Sequence, residues 1–231
     1  MADYKIIFLN MIYIDTPKYE MLFTSSSDGM VRGWNISGST PFVAKQPEND
    51  DEKMAHHFPV EVHCMAWDEV NEVLYCSGKN NKIYLWLIKT DSERELHDPQ
   101  AHGDMISSMI MMAKLQFLAT GGYDGKLILW DTISLTKKFK YEEHTRSIVS
   151  MTFHEGLILL FTAAFDHSIC VWNPYIPSLI YKIPCNVNVI QIQIIPNTNY
   201  IAALDISSTV KIREINKFNL ISAYAVDRSD D

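Results

Sequence analysis

Short apolar stretches follow turn residues at regular intervals along this chain. Four of these stretches end in a tryptophan, at Trp34, Trp86, Trp130 and Trp172. An Asp or Asn lies six residues before each tryptophan, and the tryptophans are 52, 44 and 42 residues apart. A repeat of this length is typical of arrays in which each unit buries its apolar face only against its neighbours. The pattern therefore predicts a chain of stacked repeats.

A second apolar pattern, of the form apolar-x-x-apolar-x-apolar, begins 24 residues before three of the tryptophans. Its first residues are Val62, Ile106 and Ile148. The pattern also begins at Val189 if Arg213 takes the place of a tryptophan, which adds a fifth unit. A first unit begins at Phe8 if its first loop holds two extra residues. Five units are therefore predicted.

Each unit is predicted to contain three consecutive strands and a fourth, more polar strand after the tryptophan. In the third unit these strands span residues 106–112, 116–120, 126–130 and 136–140. Runs of β-branched and aromatic residues between turn residues predict strands, and Asp-Gly at 28–29 and 124–125 fits tight hairpins. Because no segment has a sustained 3.6-residue period, almost no helix is expected. Four-stranded units of about 40 residues predict an all-β fold, a β-propeller.

On these residues the chain resembles the WD40-repeat proteins. Trp130-Asp131 is the dipeptide that names the family, and Trp34-Asn35 and Trp172-Asn173 are near variants. The resemblance implies one WD40-repeat domain over residues 1–231, with units near 1–36, 37–88, 89–132, 133–174 and 175–215 and a closing or outer strand at 219–226. Propellers of this family usually have about seven blades. Five blades form either a small closed ring or, as we favour, an incomplete propeller whose missing blades belong to a larger protein or another chain.

The family also places a polar network in each unit: a His before the first strand, a Ser or Thr in the second, an Asp in the next turn and the Trp in the third. Two units match in full, with His102, Thr120, Asp124 and Trp130 and with His144, Thr162, Asp166 and Trp172. The set resembles a catalytic triad. However, a partly buried Asp needs donors, and the set occurs twice at the same offsets, as a scaffold would. We expect structural tetrads and no catalytic residues.

Composition narrows the classes of partner. A net charge of −8 argues against nucleic acid and against an anionic membrane surface. The four scattered cysteines form no CxxC pair, which favours a reducing, cytoplasmic setting. His56-His57 and His63-Cys64 match no zinc-ligand spacing, so neither a metal nor a cofactor is expected. The long acidic connection at 37–57 is expected to be disordered or, as the alternative, to act as a docking segment.

Function is expected at the surface, through contacts with other proteins. In the WD40 family such contacts concentrate where the first strands begin and at the turns before the Asp. The matching turn residues are Ser27, Lys79, Tyr123 and Phe165, and those near the first strands are Asp104, Met105, Arg146 and Ser147. Exposed Tyr, Phe, Met and Arg are enriched in protein interfaces. The alternative is that Tyr123 and Phe165 only cover their own hairpins.

The expected function is a non-catalytic protein–protein interaction scaffold within a multiprotein assembly. One alternative is a substrate- or motif-recognition subunit of a ubiquitin ligase or signalling complex. Another is a structural component of the cilium or cytoskeleton, because residues 165–175 also loosely resemble units of axonemal WD40 proteins.

Overall fold

The structure of the protein is a computed structural model that describes residues 7–16, 20–35, 55–96, 98 and 101–225. The chain divides into two compact units, Met1–His97 and Asp98–Asp231. Most of the acidic connection predicted to be disordered, residues 37–54, lies outside the described residues.

The first unit contains two four-stranded antiparallel sheets, each with its strands in chain order. The first sheet consists of β1 (Phe8–Asp15), β2 (Glu20–Ser26), β3 (Met30–Asn35) and β4 (Ala55–His57). The second consists of β5 (Val62–Asp68), β6 (Val73–Gly78), β7 (Ile83–Leu87) and β8 (Ser92–Leu96). A shared apolar core that includes Phe23, Leu74 and Trp86 holds the two sheets together.

The second unit contains three sheets of the same kind. They consist of β9 (Ile106–Met112), β10 (Phe117–Gly122), β11 (Leu127–Asp131) and β12 (Thr136–Tyr141); of β13 (Ile148–His154), β14 (Leu159–Ala164), β15 (Ser168–Trp172) and β16 (Leu179–Pro184); and of β17 (Val189–Ile194), β18 (Tyr200–Asp205), β19 (Thr209–Glu214) and β20 (Leu220–Ala225). Strand β13 contacts β9 and β10, and β17 contacts β13 and β14. The first strand of one sheet therefore lies against the first two strands of the sheet before it.

The all-β prediction is confirmed, with five four-stranded antiparallel sheets. Within the described ranges the helical content is a single 3-10 turn at Ala113–Leu115. The Asp-Gly turn of the third sheet shows why glycine is needed there. Gly125 has φ +75°, and a Cβ on it would lie 2.8 Å from the carbonyl oxygen of His144. Only glycine adopts this conformation without strain.

One prediction about the first sheet is wrong. The acidic connection at 37–57 was expected to be disordered, but its last three residues, Ala55–His57, form β4, which pairs with β3. The strand is only three residues long and follows a polar insertion, so neither its length nor its apolar pattern distinguishes it from a loop.

Candidate functional site

A chain of hydrogen bonds joins four side chains of the sheet β13–β16. His144 Nε2 lies 2.8 Å from the Thr162 hydroxyl, and His144 Nδ1 lies 3.0 Å from Asp166 Oδ2. The Trp172 indole N–H donates to the same hydroxyl at 2.9 Å. The network ties the segment before β13 to β14, to the following turn and to β15. The structure thus brings together all four residues of this tetrad.

The sheet β9–β12 carries the second tetrad. His102 Nε2 lies 2.8 Å from the Thr120 hydroxyl, and the Trp130 indole N–H donates to that hydroxyl at 2.9 Å. His102 Nδ1 lies 3.3 Å from Asp124 Oδ1, and the backbone N–H of Gly103 donates to Asp124 Oδ2 at 2.7 Å. The same polar groups therefore occupy the same places in two successive sheets.

The environment of Asp166 keeps this carboxyl ionised. Burial alone would raise its pKa, but hydrogen bonds from Ser168 and His144 and the backbone N–H of Thr145 lower it to about 2. Lys182 Nζ, 3.4 Å from Asp166 Oδ2, adds a positive charge. Because the pKa in the folded protein lies below the usual 3.8, the stabilising contribution of Asp166 is present above about pH 4. It is lost as the pH falls toward 2.

In the sheet β9–β12 the pKa of Asp124 is lowered in the same way. Burial would raise its pKa, but hydrogen bonds from His102 and from the backbone N–H groups of Gly103 and Lys126 lower it. Its side chain is 12% exposed, against 3% for Asp166. Asp166 is therefore the more deeply buried charge of the two.

This geometry suits a scaffold and does not suit a nucleophilic triad. The hydroxyls of Thr120 and Thr162 already interact with an indole and an imidazole, and both residues are 0% exposed. A nucleophile must reach its substrate, and these hydroxyls belong to fully buried residues. Among the described residues, no group of three His, Cys, Asp or Glu side chains could hold a metal ion. In the same part of the chain, no helix is long and apolar enough to cross a membrane.

The buried thiols are equally shielded. Cys170 Sγ lies 3.8 Å from His144 Nδ1, and burial raises the pKa of this thiol to about 12. Burial also raises the pKa of Cys64 to about 12 and that of Cys76 well above its usual value. A reactive cysteine has a lowered pKa, so these thiols act as small apolar side chains.

The first sheet completes its network differently. The Trp34 indole N–H donates to the Thr24 hydroxyl at 2.9 Å, as in the full tetrads. Asp28, however, is held by the Arg32 guanidinium, whose Nη2 lies 2.8 Å from Asp28 Oδ2. Burial would raise the pKa of Asp28, but the Arg32 contact is chief among those that lower it to about 2. An arginine on β3 thus holds Asp28, whereas the full tetrads use a histidine that precedes the first strand of the sheet.

The second sheet redirects its tryptophan. The Trp86 indole N–H donates to Asp91 Oδ1 at 2.9 Å. The His56 ring stacks on Trp86 with 5.3 Å between ring centroids, and its Nε2 lies 2.8 Å from Glu93 Oε2. His56 is thus half-buried against the second sheet. Trp86 and Glu93 lie 30 and 37 residues away along the chain, so no local pattern could indicate them.

The fifth sheet uses an acidic residue that the repeat pattern did not single out. Asp205 is 2% exposed and accepts a hydrogen bond from Lys211 Nζ at 2.8 Å. The backbone N–H groups of Ser207 and Thr209 donate to its Oδ1 at 2.9 and 3.1 Å. Ser207 lies six residues before Arg213, at the offset where the other units have Asp or Asn. The carboxylate of this sheet therefore comes from Asp205, two residues before that position and at the end of β18.

Six of the partner-binding candidates lie in the second unit, in two sets linked through backbone hydrogen bonds. The Tyr123 N–H donates to the Met105 carbonyl at 2.9 Å, and the Phe165 N–H donates to the Ser147 carbonyl at 3.0 Å. The Ser147 hydroxyl donates to the Tyr123 carbonyl at 3.3 Å, which joins the two sets. Asp104 and Arg146, the remaining two, are exposed beside them.

The other two candidates lie in the first unit. Ser27 is half-buried, and its hydroxyl accepts a hydrogen bond from the Ile7 N–H at 3.0 Å. Lys79 is exposed, but its Nζ lies 2.5 Å from Glu61 Oε2. Its charge is therefore largely balanced by a neighbour.

Ile206 lies at the same position as two of the candidates but was not predicted from the sequence. Ile206 occupies the same turn in the sheet β17–β20 that Tyr123 and Phe165 occupy in theirs, and its N–H donates to the Asn188 carbonyl at 3.0 Å. Tyr123 is 46% exposed, Phe165 is 38% exposed and Ile206 is 50% exposed. We call these three residues the turn row. The constant offset between units would have identified Ile206, because it directly precedes Ser207 at the Asp position.

A pH dependence of stability follows from His144. Burial lowers the pKa of His144 below its usual 6.5 and outweighs the opposing effect of Asp166. The unfolded chain therefore takes up a proton at this residue at a higher pH than the folded protein does, so the stability falls as the pH drops below about 6.5. We expect His144→Asn, which keeps a donor toward Asp166, to weaken this dependence.

Melting temperatures at pH 7.5, 6.5 and 5.5 measure the effect. The control is His167→Asn, because His167 is exposed and has φ +60°, which Asn tolerates. The control should keep the full loss of stability between pH 7.5 and 5.5. Equal slopes for the two variants would contradict a role for His144.

Comparison with known proteins places this geometry in context. The sequence model of the family described as "WD domain, G-beta repeat" matches residues 52–86, 93–131 and 135–173. The last two segments contain the two full tetrads.

Relatives and solved structures extend the match to almost the whole chain. Cilia- and flagella-associated protein 337 B of Tetrahymena thermophila is 47% identical over 230 residues, which are 99% of this chain and 18% of the relative. The chain thus spans less than a fifth of that protein. A chain in the crystal structure of the mitotic checkpoint complex superposes with TM-score 0.82 at 15% identity, covering 98% of this chain and 67% of that one. The WD40 beta propeller domain of Doa1 gives TM-score 0.73 at 16% identity, covering 96% and 70%.

Proposed function

Because the chain belongs to the WD40-repeat family, we propose that it acts as a non-catalytic protein–protein interaction scaffold within a multiprotein assembly. The observation that carries this proposal is the turn row. Tyr123, Phe165 and Ile206 expose large apolar side chains at the same turn of three successive sheets. Exposed aromatic residues that gather on one surface are typical of protein interfaces.

Charged residues beside the turn row support the same surface. Arg146 and Asp104 are exposed next to Phe165 and Tyr123, where the first strands of their sheets begin. An aromatic centre with charged neighbours matches the general anatomy of an interface, in which aromatic side chains give affinity and charges give orientation. Lys79, the other basic candidate, is paired with Glu61. The alternative, a motif-recognition subunit of a ubiquitin ligase or signalling complex, needs a basic or aromatic pocket, and Arg146 is the basic candidate that remains for it.

The test is a comparison of captured partners. The double variant Tyr123→Ser/Phe165→Ser should lose its specific partners by at least about tenfold, because hot-spot residues contribute about 2 kcal/mol or more each. The control is Ile133→Ser/Tyr175→Ser, which alters two residues that are 76% and 54% exposed and lie outside the turn row. Quantitative mass spectrometry of proteins retained by each tagged chain gives the answer. Equal retention by both double variants would contradict the proposal.

We further infer a ciliary setting. The 47% identity over almost the whole chain to a cilia- and flagella-associated protein supports it. A fluorescently tagged chain expressed in a ciliated cell should concentrate along the cilium. A uniform distribution through the cell body would contradict this setting but would leave the scaffold proposal intact.

We also infer that these five sheets are part of a larger propeller. Its further blades are supplied by the rest of a larger protein or by another chain. The chain covers 70% of the WD40 propeller domain of Doa1 and 18% of its ciliary relative, which supports this inference.

A further inference from the structure

The first two sheets of the second unit each have a front face, which packs against the next sheet in the chain. On the sheet β9–β12 the front face holds Phe117, Ala119, Leu127, Leu129 and Tyr141, all buried. They pack in one cluster with residues of β13–β15. On the sheet β13–β16 the front face holds Leu159, Phe161, Ala163, Ile169, Val171 and Ile183, which pack against β17 and β18. Equivalent positions therefore build two successive interfaces between sheets.

The sheet β17–β20 has the same apolar positions on its front face. These residues are Tyr200, Ala202, Leu204, Val210, Ile212 and Tyr224. The strand register places Ala202 opposite Ile212, and Val210 opposite both Leu204 and Tyr224, as in the two preceding sheets. The front face of β17–β20 therefore has the same construction as the front faces of β9–β12 and β13–β16, each of which packs against the next sheet.

The exposure of this last front face differs sharply from that of the other two. Tyr224 is 59% exposed, whereas Tyr141 and Ile183 at the equivalent positions are 4% and 2% exposed. Tyr200 is 40% exposed, whereas Phe117 is 4% exposed. Soluble proteins rarely leave a continuous apolar face of this kind open to water.

The polar positions on the front face also repeat. At the interface between β13 and β17, the backbone N–H of Ile192 donates to the Ser150 hydroxyl at 3.0 Å, and that of Ile194 donates to the Thr152 hydroxyl at 3.2 Å. On β17, Gln191 and Gln193 take the positions of these two hydroxyl residues, by the register with β18, and both are exposed. Their amides can bond to the backbone of an adjoining first strand.

We propose that the front face of β17–β20 docks the first strand of a further four-stranded WD40-type sheet from outside these 231 residues. This inference rests on the proposal of further blades. It adds that the next blade packs on the front face of β17–β20 and that it does so through its first strand. The partner strand carries the apolar-x-x-apolar-x-apolar pattern, because Val189 and Ile192 use that pattern to fill the equivalent face one sheet earlier. Continuity with two interfaces of identical construction identifies the occupant.

Site-specific crosslinking tests the proposal. The photoreactive residue p-benzoylphenylalanine replaces Tyr224 in the protein, produced at its natural length in the cells that make it. The control carries the same residue at Tyr175, which is 54% exposed in the turn after β15. After irradiation, mass spectrometry identifies the attached peptide. The expected result is a peptide from a further WD40 repeat that contains the first-strand pattern, formed from position 224 and absent from position 175.

The other outcomes overturn the inference in distinguishable ways. A crosslink to residues 8–15 of the same chain would mean that β1 covers this face, and would contradict both this inference and the further blades. A crosslink to another copy of this chain would replace the occupant by a second copy. A crosslink to another strand of a WD40 repeat would contradict the face assignment but leave the further blades standing. No product above the control would show an unoccupied face.

A second variant adds a quantitative check. Ile212→Asp places a charge at the centre of the front face, and burial of an unpaired charge is strongly unfavourable. We expect the yield of the position-224 crosslink to fall by at least about tenfold, because a loss of about 1.4 kcal/mol is already tenfold in an equilibrium constant. The matched control Ile133→Asp changes an isoleucine that is 76% exposed and should leave the yield unchanged. Circular dichroism establishes that both variants keep their β structure. If the Tyr123→Ser/Phe165→Ser variant loses its captured partners but keeps the position-224 crosslink, the turn row and the front face act separately.

Discussion

Trp172→Ala is expected to destabilise the second unit by about 3–5 kcal/mol, the range for removal of a buried large aromatic side chain. Trp172 is 0% exposed, packs against Tyr141 with 4.7 Å between ring centroids, and donates its indole N–H to Thr162. The variant therefore leaves both a cavity in the core and a buried hydroxyl without its indole donor. Chemical denaturation monitored by circular dichroism and by tryptophan fluorescence measures the change.

Trp34→Ala is the matched comparison. Trp34 donates an indole hydrogen bond of the same 2.9 Å length to Thr24, but its side chain is only half-buried. Because the hydrogen bond is common to both sites and the burial is not, Trp34→Ala should cost clearly less than Trp172→Ala. An equal cost at the two sites would mean that the hydrogen bond, and not core packing, dominates the contribution of these tryptophans.

Asp166→Ala is expected to cost about 3 kcal/mol, because it strands buried donors that a charged acceptor had satisfied. His144 Nδ1, the Ser168 hydroxyl and the Thr145 N–H all lose the same acceptor. The loss should be visible as a lower melting temperature at neutral pH, and the difference from the wild type should shrink in acid as Asp166 itself becomes protonated.

Two variants frame this result. Asp166→Asn keeps one acceptor oxygen and should cost less than the alanine variant. Asp124→Ala removes the equivalent but more exposed carboxylate and should fall within about 1–3 kcal/mol. Melting of Asp166→Ala within experimental error of the wild type would refute a structural role for the tetrads.

The regular part of this fold could be predicted because the repeat itself carries the information. The offset from Trp130 placed the strands of its sheet within one residue at most ends, since the same apolar alternation recurs in each unit. In both full tetrads the four side chains are joined by hydrogen bonds. Each of their members sits at a fixed position on a strand or turn, so equal spacing produces equal geometry.

The degenerate units could not be predicted in the same way, because their polar networks use different residues. Arg32 on β3 takes the role of the histidine that precedes the first strand in the full tetrads, and Asp205 takes the role of a turn residue two positions later. Many arrangements of donors can neutralise a buried carboxylate, and the sequence does not indicate which one is used. The pairing of His56 with Glu93 is harder still, because it depends on how two sheets pack.

The three buried thiols give each compact unit its own internal reporter of opening. Cys64 and Cys76 lie in the first unit and Cys170 in the second, and all three are at most 4% exposed. An alkylating reagent can reach them only when the surrounding sheets separate, and peptide mass distinguishes which thiol reacted. A single labelling time course would therefore rank the two units by their rate of local unfolding, without introducing any probe into the protein.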